Sequence, residues 1–303
     1  MHTPKQVYRA ILIMATAVIA TCFVAIPEAL AADPAAPAAN QVGTGGPRDT
    51  GPVQLTPDEQ ALAAQKDHLA QDYALVREGT MDRATFNREN AAFLATHGGL
   101  GATQATAPAG STAALAASNT LAMSQYAQGN TYYCGPASAY EALKFKGGGP
   151  GPLGEPLSQT NLGKQVNQYP TSYLQTNQYQ STDWSRGVMA PTLTAWLHAT
   201  FYVAHNGSGS FQTNLVYDVD TGWPVVIGVM EPQYGVHLVG HPANLYIVHW
   251  IAAHGYSSSG ANTYYADSVA LTTFWTWSAN VPRYSYLPTT TMNALMNPFG
   301  YVY

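Results

Sequence analysis

The 303-residue sequence predicts an α+β main domain preceded by a small helical hairpin. Helical patterns come mainly first in the chain, and apolar β-branched runs bounded by glycine come mainly last. Apolar residues make up 46% of the chain, enough for a sizeable core. Charged residues make up only 10%, with a formal net charge of −5. Because a nucleic-acid-binding protein needs clustered Lys and Arg, we expect no nucleic-acid partner.

The first 31 residues have the pattern of a secretory signal peptide. Lys5 and Arg9 form a positive amino-terminal region, residues 10–26 are mostly apolar, and the Ala-Leu-Ala sequence at 29–31 is a cleavage signal. We therefore expect a secreted, extracellular protein, free or associated with the cell surface, with no stable membrane span after cleavage. An uncleaved membrane anchor and a lipoprotein acceptor at Cys22 are the alternatives.

Four segments follow the signal peptide. Residues 32–55 and 99–120 are rich in small residues and have no apolar period, which predicts flexible linkers. Between them, residues 56–98 predict a helical hairpin that begins with a Thr-Pro-Asp-Glu capping box. This hairpin fits an inhibitory propeptide, a docking module or a spacer. The main domain is predicted over 121–303.

Cys134 is the only cysteine left after signal cleavage, so no internal disulfide can form. It stands just before a helix predicted over 136–146, with Gly135 and Pro136 in the first turn. The positive end of a helix dipole stabilises thiolate over thiol, and glycine leaves the approach to the sulfur open. These features favour a reactive thiol, and an inert buried cysteine is the alternative.

His249 is the best candidate for a base that acts with this thiol. It lies in an apolar strand predicted over 244–254, and turn residues at 257–263 bring the chain back through Asp267. Their even separation predicts that His249 and Asp267 pair directly across the hairpin. A carboxylate beside an imidazole sets its tautomer and supports its charged form.

A metal site is the weaker interpretation of the histidines. The spacing of His237 and His241 resembles that of a ligand pair on a helix. However, Gly240 and Pro242 would break any helix that put both rings on one face, and no cysteine is near. We therefore expect neither a metal nor a cofactor.

Four sequence blocks occur in an order that resembles a known family. They are Gln128-x5-Cys134-Gly-Pro-Ala-Ser, Gly-Trp-Pro-Val-Val-Ile at 222–227, His-Trp-Ile-Ala-Ala-His-Gly-Tyr at 249–256, and Tyr-Ala-Asp at 265–267. Together they resemble the papain-like cysteine peptidases of the bacteriocin-leader (double-glycine) type, and more closely their secreted, transporter-free relatives in peptidase family thirty-nine of the cysteine class. The resemblance covers about 121–275. The long separation of Cys134 and His249 predicts insertions around 147–180 and 205–211.

The resemblance implies a papain-like fold with a helical half and an antiparallel sheet half. It implies Cys134 as the nucleophile, His249 as the general base, Asp267 as the orienting acid and Gln128 as an oxyanion donor. We therefore expect a cysteine peptidase that acts on a peptide or protein, cell-wall peptide among them. An amidase or transglutaminase-like acyl transferase on the same site is one alternative, and a non-catalytic cell-surface binding protein is another.

Overall fold

The computed structural model describes residues 49–104 and 116–303. The predicted signal peptide and most of the first predicted linker lie outside the described residues. Within the described part, seven α-helices and a seven-stranded antiparallel sheet form an α+β fold, which confirms the predicted class. No helix in these two ranges is long and apolar enough to cross a lipid bilayer.

The elements alternate along the chain more than the sequence predicts. The helices are α1 (Pro57–Glu78), α2 (Arg83–His97), α3 (Cys134–Phe145), α4 (Gln159–Leu162), α5 (Met189–Leu197), α6 (Phe211–Asp220) and α7 (Thr289–Met296). The strands are β1 (Asn119–Thr120), β2 (Ala204–Asn206), β3 (Val225–Glu231), β4 (Ile247–Ser257), β5 (Asn262–Ala266), β6 (Tyr284–Pro288) and β7 (Gly300–Val302). Short 3-10 helices lie at Gly99–Gln104, Ser258–Gly260 and Thr276–Asn280.

Strand β4 is the central strand of the sheet. The order is β2-β7-β3-β4-β5-β6, and β1 pairs with β4 beyond the end of β3, with Asn119 opposite Tyr256. All but the last residue of β4 are buried, as expected for a nearly continuous apolar run covered on both faces. Helices α3 and α6 both contact β4. A side chain on β4 is therefore held in the interior and close to α3.

Helix α3 begins at Cys134 itself, two residues earlier than predicted. Pro136 lies in the first turn, where its missing N–H costs no hydrogen bond. The side chain of the preceding residue, Tyr133, makes no capping hydrogen bond. The amino end of α3 therefore presents Cys134 with free backbone N–H groups and the positive end of the helix dipole.

The first two helices form the hairpin that the capping signals predict. Thr56 accepts a hydrogen bond from the backbone N–H of Glu59 at 3.3 Å, and the Glu59 carboxylate accepts from the backbone N–H of Thr56 at 2.8 Å. Helix α1 packs against α6, where Lys66 and Asp218 form a fully buried ion pair at 3.4 Å. The hairpin therefore shares the core of the main domain instead of hanging from it.

Parts of both predicted linkers belong to the described structure. Residues 99–104 form a 3-10 helix and residues 119–120 form β1, while residues 105–115 lie outside the described part. In the first linker, Val53 is buried and its N–H donates to the Asn206 side chain at 2.8 Å. A side chain at Gly101 would come within 2.6 Å of the Trp223 ring. Small residues here serve close packing, which composition alone does not distinguish from flexibility.

The last 28 residues complete the sheet. Strand β6 pairs with β5, and β7 lies between β2 and β3. The main domain thus depends on pairing between its carboxyl-terminal strand and strands far earlier in the chain. Such long-range pairing leaves little local signal in the sequence.

Candidate active site

The structure brings Cys134 and His249 together at the junction of α3 and β4. His249 lies in the middle of β4, opposite Val229 of β3. Its Nε2 atom contacts Asp267, whereas Nδ1 has no hydrogen-bond partner of ordinary geometry among the described residues. Burial lowers the pKa of His249, but the charge of Asp267 and the nearby Cys134 raise it to about 10. The sulfur is therefore the group left to interact with Nδ1.

Asp267 holds the other side of the imidazole ring. Its Oδ1 atom lies 3.0 Å from His249 Nε2 and accepts a hydrogen bond from the backbone N–H of Val269 at 2.9 Å. Burial by itself raises the pKa of Asp267, yet the positive charges of His249 and His241 hold this pKa well below its usual range. The carboxylate stays ionised and fixes His249 with its proton on Nε2.

The register between His249 and Asp267 differs from the predicted one. A β-bulge lies between Ala253 and Gly255, and Ala252 pairs with Ala266, the last residue of β5. Continued by one residue, this register would put Asp267 opposite Ile251, so direct pairing with His249 is wrong. The two side chains meet diagonally because Asp267 lies just past the strand end, where the chain turns.

Gln128 lies beside the same turn. Its backbone N–H donates to the Ser268 carbonyl at 2.8 Å, and its side-chain oxygen accepts from the Ser268 hydroxyl at 3.2 Å. Its side-chain amide donates to the Asn130 carbonyl at 2.7 Å, which uses one of its two hydrogens. Gln125, the other glutamine before the thiol, donates instead to the Asp267 carbonyl at 2.9 Å.

Two further side chains hold the segment that carries Gln128. Glu141 on α3 accepts from the backbone N–H of Tyr126 at 2.8 Å. Gln159 accepts from the N–H of Gly129 at 2.8 Å and donates to the carbonyl of Ala127 at 2.9 Å. Burial raises the pKa of Glu141 to about 8. Since backbone groups on both sides of Gln128 are bonded to fixed partners, the position of its amide is well defined.

Sequence reasoning missed His241, which contacts Asp267, and Glu231, which contacts His241. His241 Nδ1 lies 2.8 Å from Glu231 Oε1, and His241 Nε2 lies 3.1 Å from Asp267 Oδ2. From the sequence, His241 was considered only as a possible metal ligand together with His237. In the structure, the His237 ring faces two backbone carbonyls instead. The signal that could have found this pair is Glu231 itself, an acid at the end of an apolar strand that needs a buried partner.

The candidate site is closed in this structure. Cys134, His249 and Asp267 are 0% exposed and Gln128 is 2% exposed. Gly135 does not leave the thiol open as predicted, because a side chain there would come within 2.5 Å of the Thr182 hydroxyl. Thr182 is fixed in turn by a hydrogen bond from Trp250 Nε1 to its carbonyl at 2.8 Å.

One group of side chains has the composition of a metal site. His241, His249 and Asp267 each offer a ligand atom, and these atoms lie within 4.8 Å of one another. The same three residues form the two imidazole–carboxylate ion pairs of the site, in which Asp267 uses a different oxygen for each ring. The pKa of His241, about 9, and that of His249, about 10, favour protonated rings at neutral pH. A metal would have to displace both protons, so the residues present fit an ion-pair network better than a metal centre.

A thiol at a helix amino terminus, faced by an imidazole and a carboxylate from an antiparallel sheet, is the arrangement of a papain-like cysteine peptidase. Residues 120–287, more than half of the chain, match the sequence profile of the Peptidase_C39 like family, and the chain belongs to this family. This confirms the family that the sequence motifs resemble and indicates a cysteine peptidase-like function. The match includes the four candidate site residues and excludes α1 and α2. No curated protein matches the chain.

Proposed function

We propose that this protein is a secreted cysteine peptidase that hydrolyses peptide bonds through Cys134, His249 and Asp267. The observation that carries the proposal is the 3.0 Å contact between His249 Nε2 and Asp267, which leaves Nδ1 of the same ring for the thiol at the start of α3. A thiol, a base and an orienting acid in this order are what acyl transfer by cysteine requires.

The reaction follows from these positions. The thiol proton resides on His249, and the Cys134 thiolate attacks the peptide carbonyl carbon to form a carbon–sulfur bond. His249 then donates its proton to the leaving amine as the carbon–nitrogen bond breaks. In the second half, His249 takes a proton from water, the hydroxide attacks the thioester, and the acid product leaves as Cys134 is restored.

Two donors can hold the oxyanion that forms in each half. The backbone N–H of Cys134 lies in the first turn of α3, where no intrahelical acceptor exists for it. The second amide hydrogen of Gln128 is not used by the Asn130 carbonyl. A pair of such preorganised donors stabilises negative charge that develops only in the transition state.

Access to the thiol requires a movement of the segment around Thr182. The Thr182 side chain fills the space beside Gly135, and its hydroxyl lies 2.5 Å from that of Thr176. A substrate peptide of extended shape would take the place of this segment between α3 and β4. The substrate class we propose is a peptide or protein outside the cell, cell-wall peptide among them. Export rests on the signal-peptide pattern of the first 31 residues.

The test compares the parent protein with the Cys134→Ser variant on a mixture of peptides, with products read by mass spectrometry. We expect cleavage by the parent and a loss of more than about a thousandfold in the variant, because serine at this site lacks a thiolate. The matched control is Ser138→Ala, which changes a buried hydroxyl on the same helix. Equal cleavage by Cys134→Ser and the parent would refute the proposal.

The same assay separates hydrolysis from transfer. With an added primary amine, a transglutaminase-like enzyme would yield products that carry the mass of the amine, whereas a peptidase yields free carboxyl groups. A non-catalytic binding protein would cleave nothing, and its Cys134 would react with iodoacetamide at mildly acidic pH no faster than an ordinary thiol.

A further inference from the structure

Behind the proposed catalytic site lies a row of four buried ionisable side chains. Glu231 Oε1 contacts His241 Nδ1 at 2.8 Å, His241 Nε2 contacts Asp267 Oδ2 at 3.1 Å, and Asp267 Oδ1 contacts His249 Nε2 at 3.0 Å. Their side chains are at most 1% exposed. Acid and base alternate along the row, so the four charges cancel when all are ionised.

The geometry favours a charged ring at His241. A neutral imidazole has one N–H and one lone pair, and a lone pair facing a carboxylate oxygen at about 3 Å is repelled. Both nitrogens of His241 lie about 3 Å from carboxylate oxygens, so with Glu231 and Asp267 ionised the ring is stabilised when both nitrogens carry hydrogen. Burial lowers the pKa of His241, but Glu231 and Asp267 together raise it to about 9. The other groups facing this ring are His249, at 5.6 Å between ring centroids, and the indole of Trp277.

The two oxygens of Asp267 are shared between two rings. Oδ1 serves His249 and the Val269 N–H, and Oδ2 faces His241. Oδ1 is fixed by two hydrogen bonds, and the ion-pair contact of Oδ2 with His241 favours one orientation of the carboxylate toward His249. Glu231 is fixed as well, because its second oxygen accepts from the backbone N–H of Leu238 at 3.0 Å.

We propose that His241, held by Glu231, is a positioning residue that orients Asp267 and shares its negative charge, and so sets the strength of His249 as an acid. This inference rests on the proposed peptidase function. Without the cation at His241, the full charge of Asp267 would act on His249 alone and make it a weaker proton donor to the leaving amine. The residue touches no reacting atom and acts only through Asp267.

The experiment uses the double variant Glu231→Gln/His241→Gln, which removes one anion and one cation together and so leaves no unpaired buried charge. We expect kcat to fall by about 10–100-fold with little change in KM, as for loss of an outer partner that orients a site ligand. His241 lies nearer to Asp267 than Glu231 does, so its loss dominates. The alkaline limb of the kcat/KM profile should therefore move upward by roughly half a pH unit to one unit.

The matched control is Lys66→Met/Asp218→Asn, which removes another fully buried ion pair, one that makes no contact with the site residues in the described structure. A merely structural role of His241 predicts that both double variants lose stability and that neither shifts the pH profile. An unshifted profile in the site variant would overturn the inference, provided that the parent is active and Cys134→Ser is not.

A second measurement needs no substrate. Nitrogen-15 spectra of the histidine rings should show both nitrogens of His241 protonated at pH 7 in the parent chain, and a higher titration midpoint for His249 in the double variant. A neutral His241 ring in the parent refutes the inference even where the variant does not fold. If the parent protein shows no peptidase activity but its His241 ring is charged, the proposed function is refuted and the charge state assigned to His241 is not.

Discussion

Two groups of buried charges in the described structure have pKa values that shift in opposite directions. The prefix cluster consists of Lys66, Asp218 and the rings of Phe201 and Tyr303. The site cluster consists of Glu231, His241, Asp267 and His249. Burial lowers the pKa of Lys66 to about 8 and raises that of Asp218 to about 6, so both move toward neutrality. In the site cluster, the ion pairs move the pKa values of His241, His249 and Asp267 toward the charged forms.

The difference comes from hydrogen bonding. Lys66 lies 3.4 Å from Asp218 but 3.5 Å above the centre of the Phe201 ring, and its Nζ has no ordinary hydrogen bond within the described ranges. Both oxygens of Asp218 also lack a hydrogen bond of ordinary geometry there. Asp267 Oδ1 instead accepts from His249 and from the Val269 N–H, and Oδ2 lies in an ion-pair contact with His241. A buried charge stays favourable only when its partners offset the loss of water. Ion pairs of equal burial can therefore differ in whether their pKa values shift toward the charged or the neutral forms.

The largest expected effect is a difference in kcat between variants of Asp267 and Asp218. Asp267→Asn should lower kcat by about 10⁴-fold, because the amide no longer fixes the tautomer of His249. Asp218→Asn removes a carboxylate of equal burial from the prefix cluster and should keep kcat within about threefold of the parent. Peptide cleavage at saturating substrate measures both. More than a tenth of parental kcat in Asp267→Asn would contradict the assignment of the site cluster.

The next effect concerns stability in the prefix cluster. Lys66→Met leaves Asp218 buried without its cation and should cost about 3–5 kcal/mol of unfolding free energy. The double variant Lys66→Met/Asp218→Asn should recover most of this loss, because no unpaired charge stays in the core. Denaturant unfolding of both variants gives the comparison. A single variant as stable as the double one would show that the pair is not coupled.

The two clusters should also respond to pH with opposite signs. The pKa of His241 rises from 6.5 to about 9, so its contribution to stability is complete below pH 6.5 and is lost as pH rises through 9. The pKa of Lys66 falls from 10.5 to about 8, so the unfolded chain binds more protons between these values and stability there rises with pH. Each contribution is at most about 3 kcal/mol.

Unfolding free energies across pH 6–10 measure these slopes. Relative to the parent, Glu231→Gln/His241→Gln should lose less stability as pH rises, and Lys66→Met/Asp218→Asn should lose more. If the unfolding free energies of both variants change with pH in parallel with those of the parent, the predicted opposite pH responses of the two clusters are wrong.

The smallest expected effect is that of cutting the chain between hairpin and main domain. A protease site placed within 105–115 should give a nicked protein whose hairpin stays bound, because Tyr73 and Arg77 both bond to Asp220 and Arg77 also bonds to Tyr256. Peptidase activity should be unchanged. Release of the hairpin on a sizing column, or a rise in activity after nicking, would instead support an inhibitory propeptide.

Local signals predicted those parts of the fold that depend on neighbouring residues. The Thr-Pro-Asp-Glu start of α1 appears where the sequence indicated, and the strand predicted over 244–254 forms as β4 three residues later. Helix α6 was not predicted, and β7 was unplaced because its partners lie far away in the chain. The positions of Cys134, His249, Asp267 and Gln128 come together in the structure, while their catalytic roles stay predictions.

By itself, the sequence determined the family, the α+β class and the residues on which the proposed chemistry depends, because motif spacing and helix starts are local properties of the chain. Only the tertiary structure decided that Asp267 meets His249 diagonally, that His241 and Glu231 stand behind it, and that Thr182 closes the site. These contacts join strands and loops that are separated in sequence, and which of them meet is set by how the whole sheet and its helices pack.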